Sequence, residues 1–409
     1  MKTVALLSGN HLDSCLVSLK YTSTSGFYYI LIMKQARIVV GANYGDEGKA
    51  TVVANYTKTA VLSGNSVLNV LTNGGSQRGH SIITDTGDSH TFKHFGSGLV
   101  YGADTMFSEY FIVNPMQFQK ERYEHGVDAY FVYMHEDCKW TTPYDALYNM
   151  CIERARGKER HGTCAMGIWN TIERYEAFME PMSFSEFVQY CCNQPAHAKH
   201  YLNTIRAWYD TKGVPFASED AKYAWFSDSM MDHFMQDCIH MYNKVITFEY
   251  YDEIFKNYDE VIFENGQGLQ LMNMGERSTP SNTGIHDAMQ ILSGRNVDVS
   301  VHYVTRPYVT KHGYGEFNDE QDKKFIASDI EDDRTNHYNE WQGDFRFGKL
   351  DIVDLSHRLY QDYHVRESLY QENFTKTLEI THCDEMDRVN EFKSVLHNFN
   401  INTYDTAKV

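Results

Sequence analysis

Short runs of β-branched and aromatic residues alternate along this chain with longer stretches in which apolar residues recur at helical spacing. The candidate strands are RIVVG, VLNVLT, AYFVYM, EVIFE, VSVHYV and LEITH, and the candidate helices lie near 142–155, 184–192 and 219–242. Such alternation is typical of an α/β fold. It predicts a large, mainly parallel β-sheet flanked by helices in a single large domain.

The alternating pattern begins at Met33, and the preceding residues do not continue it. We interpret residues 1–32 as an N-terminal extension of doubtful role, either a remnant or an over-extended start. A short added strand or arm is the alternative. The α/β domain is expected to cover residues 33–409.

The amino-acid composition excludes several classes of protein. Hydrophobic residues make up 42% of the 409 residues and aromatic residues 14%, which argues against disorder. The formal charge of -18 disfavours nucleic-acid binding, which needs an electropositive face. The eight cysteines form no CxxC pair, and no apolar run approaches the ~18 residues of a membrane span. We expect a cytoplasmic protein (host cytoplasm if viral) that associates with no membrane.

The segment RIVVGANYGDEGKATVV, residues 37–53, has the order of a strand, a glycine turn and a helix start. Backbone amides of such a turn bind phosphate, and Lys49 after Gly48 would neutralise charge. The spacing is not that of a standard Walker A loop. Asp46 and Glu47 in the middle of the turn are unexpected in a simple anion cradle. The segment therefore predicts a P-loop-like phosphate-binding loop that carries additional chemistry.

A second glycine-rich turn, NGGSQRGHSI at residues 73–82, follows the strand VLNVLT. Its glycines permit a close approach of backbone to a ligand, and His80 stands at the exit of the turn. A lone histidine is usually structural. Two glycine turns after two early parallel strands nevertheless favour a shared ligand crevice, because the carboxyl ends of such strands converge.

A third turn, VIFENGQGLQL at residues 261–271, ends a strand and carries Gln267. The following ERSTPSNTG, residues 276–284, offers hydroxyls and amides suited to a phosphate, although such a cluster is also typical of a surface loop.

These turns, in this order, resemble those of the adenylosuccinate synthetase family. YGDEGKA follows the family's WGDEGKG, GGSQRGHS its GGxNAGHT, FKHFGSGL its HLxPSGIL, RHGTCAMGI its IGTTGRGIG, ENGQG its EGAQG, and LEITHCDEMD its TKLDVLD. The resemblance covers most of residues 33–387 and is weakest through 183–259. It implies the family's fold and its ligase activity.

The resemblance implies roles for the catalytic residues. Asp46 would be the general base that removes the N1 proton of a 6-oxopurine nucleotide, and with the Gly79 carbonyl it would bind Mg²⁺. His80 would hydrogen-bond to O6 and polarise it. The O6 oxyanion would attack the γ-phosphate of ATP or GTP. The amine of L-aspartate would then displace the activated phosphate, giving an N6-succinyl purine nucleotide.

Three binding groups are also implied by the resemblance. The triphosphate would contact Gly45, Glu47, Gly48, Lys49, Ala50, His382 and Asp384. The acceptor purine monophosphate would contact Gln77, Thr163, Gln267 and Thr279. L-Aspartate would contact Thr310, Lys311 and Arg346, whose guanidinium matches a carboxylate bidentately. The family also implies a homodimer.

The chain departs from the family in places that bear on its substrates. The family's threonine-rich aspartate loop reads RTNHYNEWQGDFRFG here, His382 replaces a lysine, and Arg78 and Cys164 are also substitutions. The aspartate pocket is therefore expected to be partly rebuilt, and ATP remains an alternative to GTP. The compact chain favours the viral branch, which uses dGMP in the 2-aminoadenine pathway, slightly over IMP as acceptor. Some members of that branch lack the loop aspartate, which this chain keeps as Asp46.

Two readings from other classes stay open. The phosphate loop is also similar to those of P-loop GTPase switches, and the altered aspartate loop would suit a paralogue that binds nucleotide without chemistry. A switch needs neither Asp46 nor His80, whereas the ligase needs both.

Overall fold

Nine of the strands in the described part of the chain belong to one sheet, and two pairs form small separate hairpins. The computed structural model describes residues 35–272, 282–317, 319–330, 336, 338–370 and 374–406. The strands are β1 Gln35–Gly41, β2 Val67–Leu71, β3 His80–Ile83, β4 Ser89–Phe92, β5 Asp104–Phe107, β6 Val132–His135, β7 Ile246–Phe248, β8 Glu260–Gly268, β9 Asp298–Thr305, β10 Val309–Lys311, β11 Arg346–Gly348, β12 Thr375–Ile380 and β13 Asn400–Thr403.

Helices cover most of the remaining described residues. They are α1 Lys49–Leu62, α2 Pro115–His125, α3 Pro143–Arg156, α4 Ile168–Ala177, α5 Phe184–Asn193, α6 Pro195–Lys212, α7 Glu219–Trp225, α8 Asp228–Lys244, α9 Tyr251–Phe255, α10 His286–Leu292, α11 Lys323–Ile326, α12 Ile352–Tyr370 and α13 Val389–Val395. Short 3-10 helices lie at Ser97–Tyr101, Val127–Ala129, Gly157–Glu159 and Leu269–Leu271. None of these helices is long and apolar enough to cross a bilayer.

The large sheet has the strand order β13-β12-β9-β1-β8-β2-β5-β6-β7, and each neighbouring pair is parallel. β1 lies at its centre, between β8 and β9. Its buried side chains alternate, so that Ile38 and Val40 join the apolar cluster that includes α10 and α12. Val39 faces the other way and packs with Val52 and Val53 of α1. The α/β prediction is therefore confirmed, and the sheet is covered on both faces.

All six predicted strands lie in this sheet, but three short strands of the same sheet and the four strands of the two small sheets were not predicted. β5 has only four residues, and β7 and β13 are edge strands that are partly exposed and lack a clear apolar run. The helix predicted for 219–242 is in fact two helices. Ser227 lies between them, and its side chain accepts a hydrogen bond from the backbone N–H of Met230 at the start of α8.

Helices α3 to α8 form a block inserted between β6 and β7. Its core is strongly aromatic, with Trp140 stacked on Phe187 at 4.7 Å between ring centroids. α3 begins with a capping box, in which Thr142 and Asp145 satisfy each other's backbone N–H groups. The same Asp145 carboxylate holds the fully buried guanidinium of Arg174. The loop between α3 and α4 lies at the carboxyl edge of the sheet, where Cys164 contacts the turn after β2.

Candidate active site

Five loops with candidate functional residues follow five strands that are adjacent in the sheet. In spatial order these are β12, β9, β1, β8 and β2, all parallel. Their carboxyl ends therefore lie along one edge, where ligands bind in open α/β sheets. The loop after β1 contains Asp46, that after β2 contains Gln77, and β8 itself ends in the Gln267 turn. The sequence-based expectation that these turns share one crevice is thus supported by the topology.

The turn after β1 has the backbone of a phosphate-binding loop. Gly45 and Gly48 have φ values of 115° and 93°, which favour glycine. Asp46 also has a positive φ, 59°, which is uncommon for a residue with a side chain. Lys49 is the first residue of α1, and with Ala50 it is buried in the first turn. The loop therefore ends at a helix N-terminus that is suited to an anion.

Glu47 shapes this loop from inside. Its Oε1 accepts hydrogen bonds from the backbone N–H groups of Asn43 at 3.0 Å and Gly45 at 2.8 Å. Its Oε2 lies 3.0 Å from Nζ of Lys49, and both side chains are almost fully buried. In this state the Glu47 carboxylate contacts the loop's own amides, and its expected contact with nucleotide stays a prediction.

Asp46 faces the opposite way, with its carboxylate partly open to solvent. Its side chain is 23% exposed, and its Oδ2 lies 3.6 Å from Nε2 of His312. Its backbone oxygen accepts a hydrogen bond of 2.8 Å from Nε of Arg306. Burial raises the pKa of Asp46 above its usual range, while the charges of His312 and Lys49 oppose this. A raised pKa strengthens this carboxylate as a proton acceptor.

His80 is held by a buried carboxylate. Its Nδ1 lies 2.5 Å from Oε1 of Glu264, which also accepts a hydrogen bond from the Ser97 hydroxyl. Oε2 of Glu264 accepts one from the backbone N–H of Ser97 at 2.9 Å. Arg78 lies on the other side, with Nη1 3.7 Å from the same carboxylate. Burial alone would raise the pKa of Glu264, but Arg78, His80 and Ser97 hold it at about 2. Glu264 is therefore ionised and orients the His80 ring.

The contacts of His80 determine its protonation state. An ionised carboxylate only accepts hydrogen bonds, so Nδ1 of His80 carries the proton. Burial, followed by the charge of Arg78, lowers the pKa of His80 to about 4, which keeps the ring neutral near pH 7. Its Nε2 is then an acceptor, with no hydrogen-bond partner among the described residues. The neutral ring cannot donate from Nε2 to a purine O6, and it does so only after it gains a proton.

The acceptor-binding candidates lie on two touching loops. The Cys164 thiol donates to the Gln77 backbone oxygen at 3.1 Å, and the neighbouring Thr163 hydroxyl donates to Asn149 at 3.2 Å. The side-chain amide of Gln77 and Oε1 of Gln267 are buried and find no partner within the described ranges. Buried amide groups of this kind are normally hydrogen-bonded, which suits a polar ligand here. Thr279 lies outside the described residues.

Electrostatic interactions connect these loops. The charge of Lys49 lowers the pKa of both Asp46 and His80. Burial has the larger effect on each residue: it raises the pKa of Asp46 and lowers that of His80. Burial raises the pKa of the Cys164 thiol to about 11, which Lys93 opposes and Asp46 increases. Lys49 therefore acts on the candidate base and the candidate histidine together. The phosphate loop, the His80 turn and the Cys164 loop converge on one region.

The loop of Cys164 also touches the hairpin that carries the aspartate-binding candidates. A Cβ added to Gly162 would lie 2.6 Å from Cα of Gly313, so the two backbones are in direct contact. The Tyr314 N–H donates to the His161 oxygen at 3.4 Å across the same contact. The two loops therefore pack backbone to backbone.

The candidate aspartate-binding residues lie on the β10–β11 hairpin. The Thr310 hydroxyl is 3.5 Å from the Gly45 oxygen of the phosphate loop, and Nζ of Lys311 donates to the Glu316 oxygen at 2.6 Å. Arg346 pairs bidentately with Glu320. A cavity of about 850 Å³ is lined by Gly313, Tyr314, Gly315, Glu320, Gln321, Asp322, Lys323, Gln342, Asp344, Phe345, Arg346 and Phe347. Arg346 lines this cavity, but the Glu320 carboxylate already occupies the Nε and Nη2 edge of its guanidinium.

The candidate residues for the base of the triphosphate follow β12. His382 has a positive φ of 57°, and its Nδ1 lies 3.0 Å from the Thr381 hydroxyl. The exposed Asp384 carboxylate accepts hydrogen bonds from the Thr406 N–H at 2.6 Å and hydroxyl at 2.7 Å. The structure thus brings His382 to the site edge and ties Asp384 to the segment after β13.

The residues expected to hold Mg²⁺ fit that ion. Within the described residues there is no cluster of three or more His, Cys, Asp or Glu side chains that could bind a metal alone. Mg²⁺ commonly uses one or two protein oxygens, with waters and substrate phosphates as further ligands. The partly exposed Asp46 carboxylate offers such an oxygen. Gly79 is exposed, with nothing within 4 Å of a Cβ built on it, so the turn that would offer the second ligand is open to solvent.

Four residues at the site were missed by the sequence analysis. Arg306 and Glu264 both belong to strand ends that the pattern did identify, and a charged residue at such a position is a usable signal. His312 and Glu320 gave no such signal, because their partners Asp46 and Arg346 are distant in sequence.

Gly268 offers a direct test of how the phosphate loop is supported. A Cβ at this position would overlap the Asn43 oxygen and lie 2.8 Å from Gly45 N. We expect Gly268→Ala to displace the loop, with a loss of about 1–3 kcal/mol of stability and a roughly tenfold weaker triphosphate affinity. Thermal unfolding and nucleotide titration measure both. Gly266→Ala is the matched control, since its nearest neighbour would be the Asn73 oxygen at 3.1 Å. Equal effects of the two variants would contradict the steric argument.

The family model and the curated relatives that match this chain all describe the same kind of protein. Residues 38–402 match the family model described as Adenylosuccinate synthetase. The adenylosuccinate synthetase of Mycobacterium leprae is 29% identical over 137 residues, 32% of this chain and 30% of the relative. That of Lactobacillus acidophilus is 27% identical over 291 residues, 68% of this chain and 63% of the relative. The matched stretch thus spans less than a third of the first relative's length and under two thirds of the second's.

Two solved structures share the fold. A fully ligated adenylosuccinate synthetase from Plasmodium falciparum superposes with a TM-score of 0.64 at 16% identity, covering 86% of this chain and 78% of that one. Cyanophage S-2L succinoaminodeoxyadenylate synthetase, solved with dGMP and with dATP as energy donor, gives a TM-score of 0.55 at 12% identity and covers 91% of each chain. The nine-stranded architecture is therefore that of these enzymes.

Proposed function

Since the chain belongs to the adenylosuccinate synthetase family, we propose that it joins L-aspartate to C6 of a 6-oxopurine nucleoside monophosphate, with hydrolysis of ATP or GTP. One observation carries the proposal. The phosphate loop presents the partly exposed Asp46 carboxylate, and His80, held at Nδ1 by Glu264, has an Nε2 with no hydrogen-bond partner among the described residues. A GTPase-like switch or a non-catalytic paralogue has no need for this combination.

Asp46 is placed in the proposal as general base. Its carboxylate takes the N1 proton of the purine, which leaves negative charge on O6. The raised pKa of Asp46 favours this transfer, because a more basic carboxylate binds the proton more tightly. Mg²⁺, held by Asp46 and the Gly79 carbonyl, would offset the negative charge of the triphosphate.

Phosphoryl transfer follows at the phosphate loop. The purine O6 forms a bond to the γ-phosphorus, and the bond from that phosphorus to the β-phosphate bridging oxygen breaks, releasing the nucleoside diphosphate. Lys49 and the loop amides stabilise charge on the transferring group. The buried Glu47 holds Nζ of Lys49 and, by accepting a hydrogen bond from the Gly45 N–H, fixes the backbone of the loop.

His80 is placed next to O6. Negative charge developing on O6 favours the uptake of a proton from solvent at Nε2, and the resulting imidazolium is stabilised by the Glu264 carboxylate, which is bound to Nδ1. His80 then donates toward the oxygen. In the second step the amine of L-aspartate forms a bond to C6, the C6–O6 bond breaks, and inorganic phosphate leaves with the proton that the amine loses.

For the acceptor we favour dGMP over IMP. Guanine carries a 2-amino donor that hypoxanthine lacks, and the carbonyl oxygens of Gln77 and Gln267 are buried acceptors that lack a partner in the described part of the chain. A buried polar group of this kind discriminates strongly between bases that do and do not pair with it. The cyanophage enzyme that shares this fold was solved with dGMP.

One assay series tests the function and the acceptor together. The full chain is incubated with Mg²⁺ and L-aspartate, with ATP or GTP, and with IMP, dIMP, GMP or dGMP in turn. Mass spectrometry of the nucleotide identifies the product. We expect succinylated dGMP in larger yield than any other product. Succinylation of IMP alone would overturn the dGMP assignment, and nucleotide binding without any succinylated product would overturn the ligase.

A further inference from the structure

Arg346 is the residue expected to hold a carboxylate of the amine donor, and Glu320 already occupies it. Nε of Arg346 donates to Oε1 of Glu320 at 2.7 Å, and Nη2 donates to Oε2 at 2.6 Å. The guanidinium hydrogen bonds hold the pKa of Glu320 below its usual range, so this carboxylate is ionised near neutral pH. Its geometry is the side-on, bidentate pairing that a free carboxylate ligand would adopt.

The rest of the Arg346 guanidinium is also engaged. Nη1 donates to the backbone oxygens of Gly313 and Gly315, both at 3.0 Å. These carbonyls fix the plane of the guanidinium against the hairpin. The edge formed by Nε and Nη2 is the one that can bind a carboxylate bidentately, and Glu320 fills it.

Glu320 is the partner that can leave. Its side chain is 46% exposed, whereas that of Arg346 is 20% exposed and lies with its guanidinium carbon 5.3 Å from the centre of the Phe317 ring. Both line the cavity of about 850 Å³. Rotation of Glu320 into solvent would therefore open the Arg346 edge toward that cavity without moving the arginine.

We propose that Glu320 is an internal occupant of the donor's carboxylate site and that L-aspartate has to displace it. This inference rests on the proposed function and adds the residue that sets the donor's affinity. A tethered carboxylate competes at an effective concentration in the millimolar range or above. When the donor's carboxylate replaces that of Glu320, Arg346 loses one ion pair as it forms another, so the net gain in binding free energy is small. The donor therefore binds more weakly than it would at an open site.

The test is Glu320→Gln, assayed for succinylation across a range of L-aspartate concentrations. We expect the KM for aspartate to fall roughly three- to tenfold, because a neutral amide competes poorly for a guanidinium. The kcat should stay within twofold. Asp298→Asn is the control: it removes one negative charge at the exposed start of β9, outside the cavity. Its KM should not change.

A second comparison separates occupancy from simple repulsion. In an Arg346→Gln background, Glu320→Gln should leave the KM for aspartate unchanged, since there is no guanidinium to free. An equal fall in both backgrounds would mean that Glu320 only repels the donor through space, and a raised or unchanged KM in the single variant would show a supporting role. Either result overturns the proposal.

Calorimetric titration with L-aspartate measures donor binding independently of catalysis. If the wild-type chain forms no succinylated product, the proposed function fails, yet tighter aspartate binding by Glu320→Gln than by wild type still supports the occupancy. Glu320→Ala repeats the comparison should the first variant unfold, which circular dichroism detects.

Discussion

Asp46→Asn is expected to lower the rate of succinyl-nucleotide formation by about 10²- to 10⁴-fold, the usual contribution of a positioned general base. Asparagine has nearly the same shape but cannot take the N1 proton. Binding of the purine monophosphate should persist within about threefold, because the loop backbone is held by Glu47 and Arg306 rather than by the Asp46 side chain. Product formation by mass spectrometry and nucleotide titration provide the two measurements.

Asp298→Asn serves as the control for Asp46. Asp298 is exposed at the start of β9, at the edge of the sheet opposite the loops. This substitution removes the same charge and should leave turnover unchanged. Full activity of Asp46→Asn would exclude the general-base role of Asp46 and overturn the proposed mechanism. Loss of binding together with turnover would instead assign Asp46 to the structure of the loop.

Glu264→Gln is expected to have the largest effect on stability. It leaves the Arg78 guanidinium buried without its carboxylate, and such a change costs about 3–5 kcal/mol of unfolding free energy. Turnover should also fall, since His80 loses the charge that stabilises its imidazolium form. Urea unfolding measures the first effect and succinylation kinetics the second.

Two further variants identify the cause of that loss. Glu260→Gln removes a glutamate from the same strand, where Glu260 pairs with the partly exposed Arg37 at 3.4 Å, and should cost only about 1 kcal/mol. Adding Arg78→Met to Glu264→Gln should recover part of the stability, because the uncompensated charge is gone. Without recovery, the loss would have to come from the hydrogen bonds to Ser97 and His80.

The same carboxylate makes a pH-dependent contribution to stability. Its pKa falls from 4.5 to about 2 on folding, so the unfolded chain binds the proton more readily. The stabilisation from Glu264 is therefore complete above pH 4.5 and is lost as the pH falls toward 2. Glu264→Gln should remove this part of the acid sensitivity.

The sequence predicted the fold where local pattern and tertiary environment agree. β1 and β8 are buried on both faces, so their apolar runs are continuous and readable. β13 has the sequence NINT and becomes a strand only because β12 offers it an edge. The two-helix arrangement at 219–244 depends on the cap at Ser227, which periodicity alone did not reveal.

The candidate site was predictable to the extent that its chemistry is local in sequence. The phosphate loop and the His80 turn are continuous motifs, and the structure brings them to one edge. The partners of these residues are not local: Glu264 is 184 positions from His80, and Glu320 is 26 from Arg346. The neutral state of His80 and the filled Arg346 edge follow from such pairs, so neither could be read from the motifs.

The backbone contact between Gly162 and Gly313 connects the loop of the acceptor-binding candidate Thr163 with the hairpin of the aspartate-binding candidates. At Gly162 and Gly313 the two backbones touch directly, and Arg160 and Tyr314 add a side-chain contact beside them, so a shift of the loop would press on the hairpin. A nucleotide that shifts the loop therefore changes the cavity beside Arg346, and an amino acid that shifts the hairpin changes the nucleotide pocket by an equal free energy. If both loops bind substrate as proposed, occupancy of one pocket would be thermodynamically coupled to occupancy of the other.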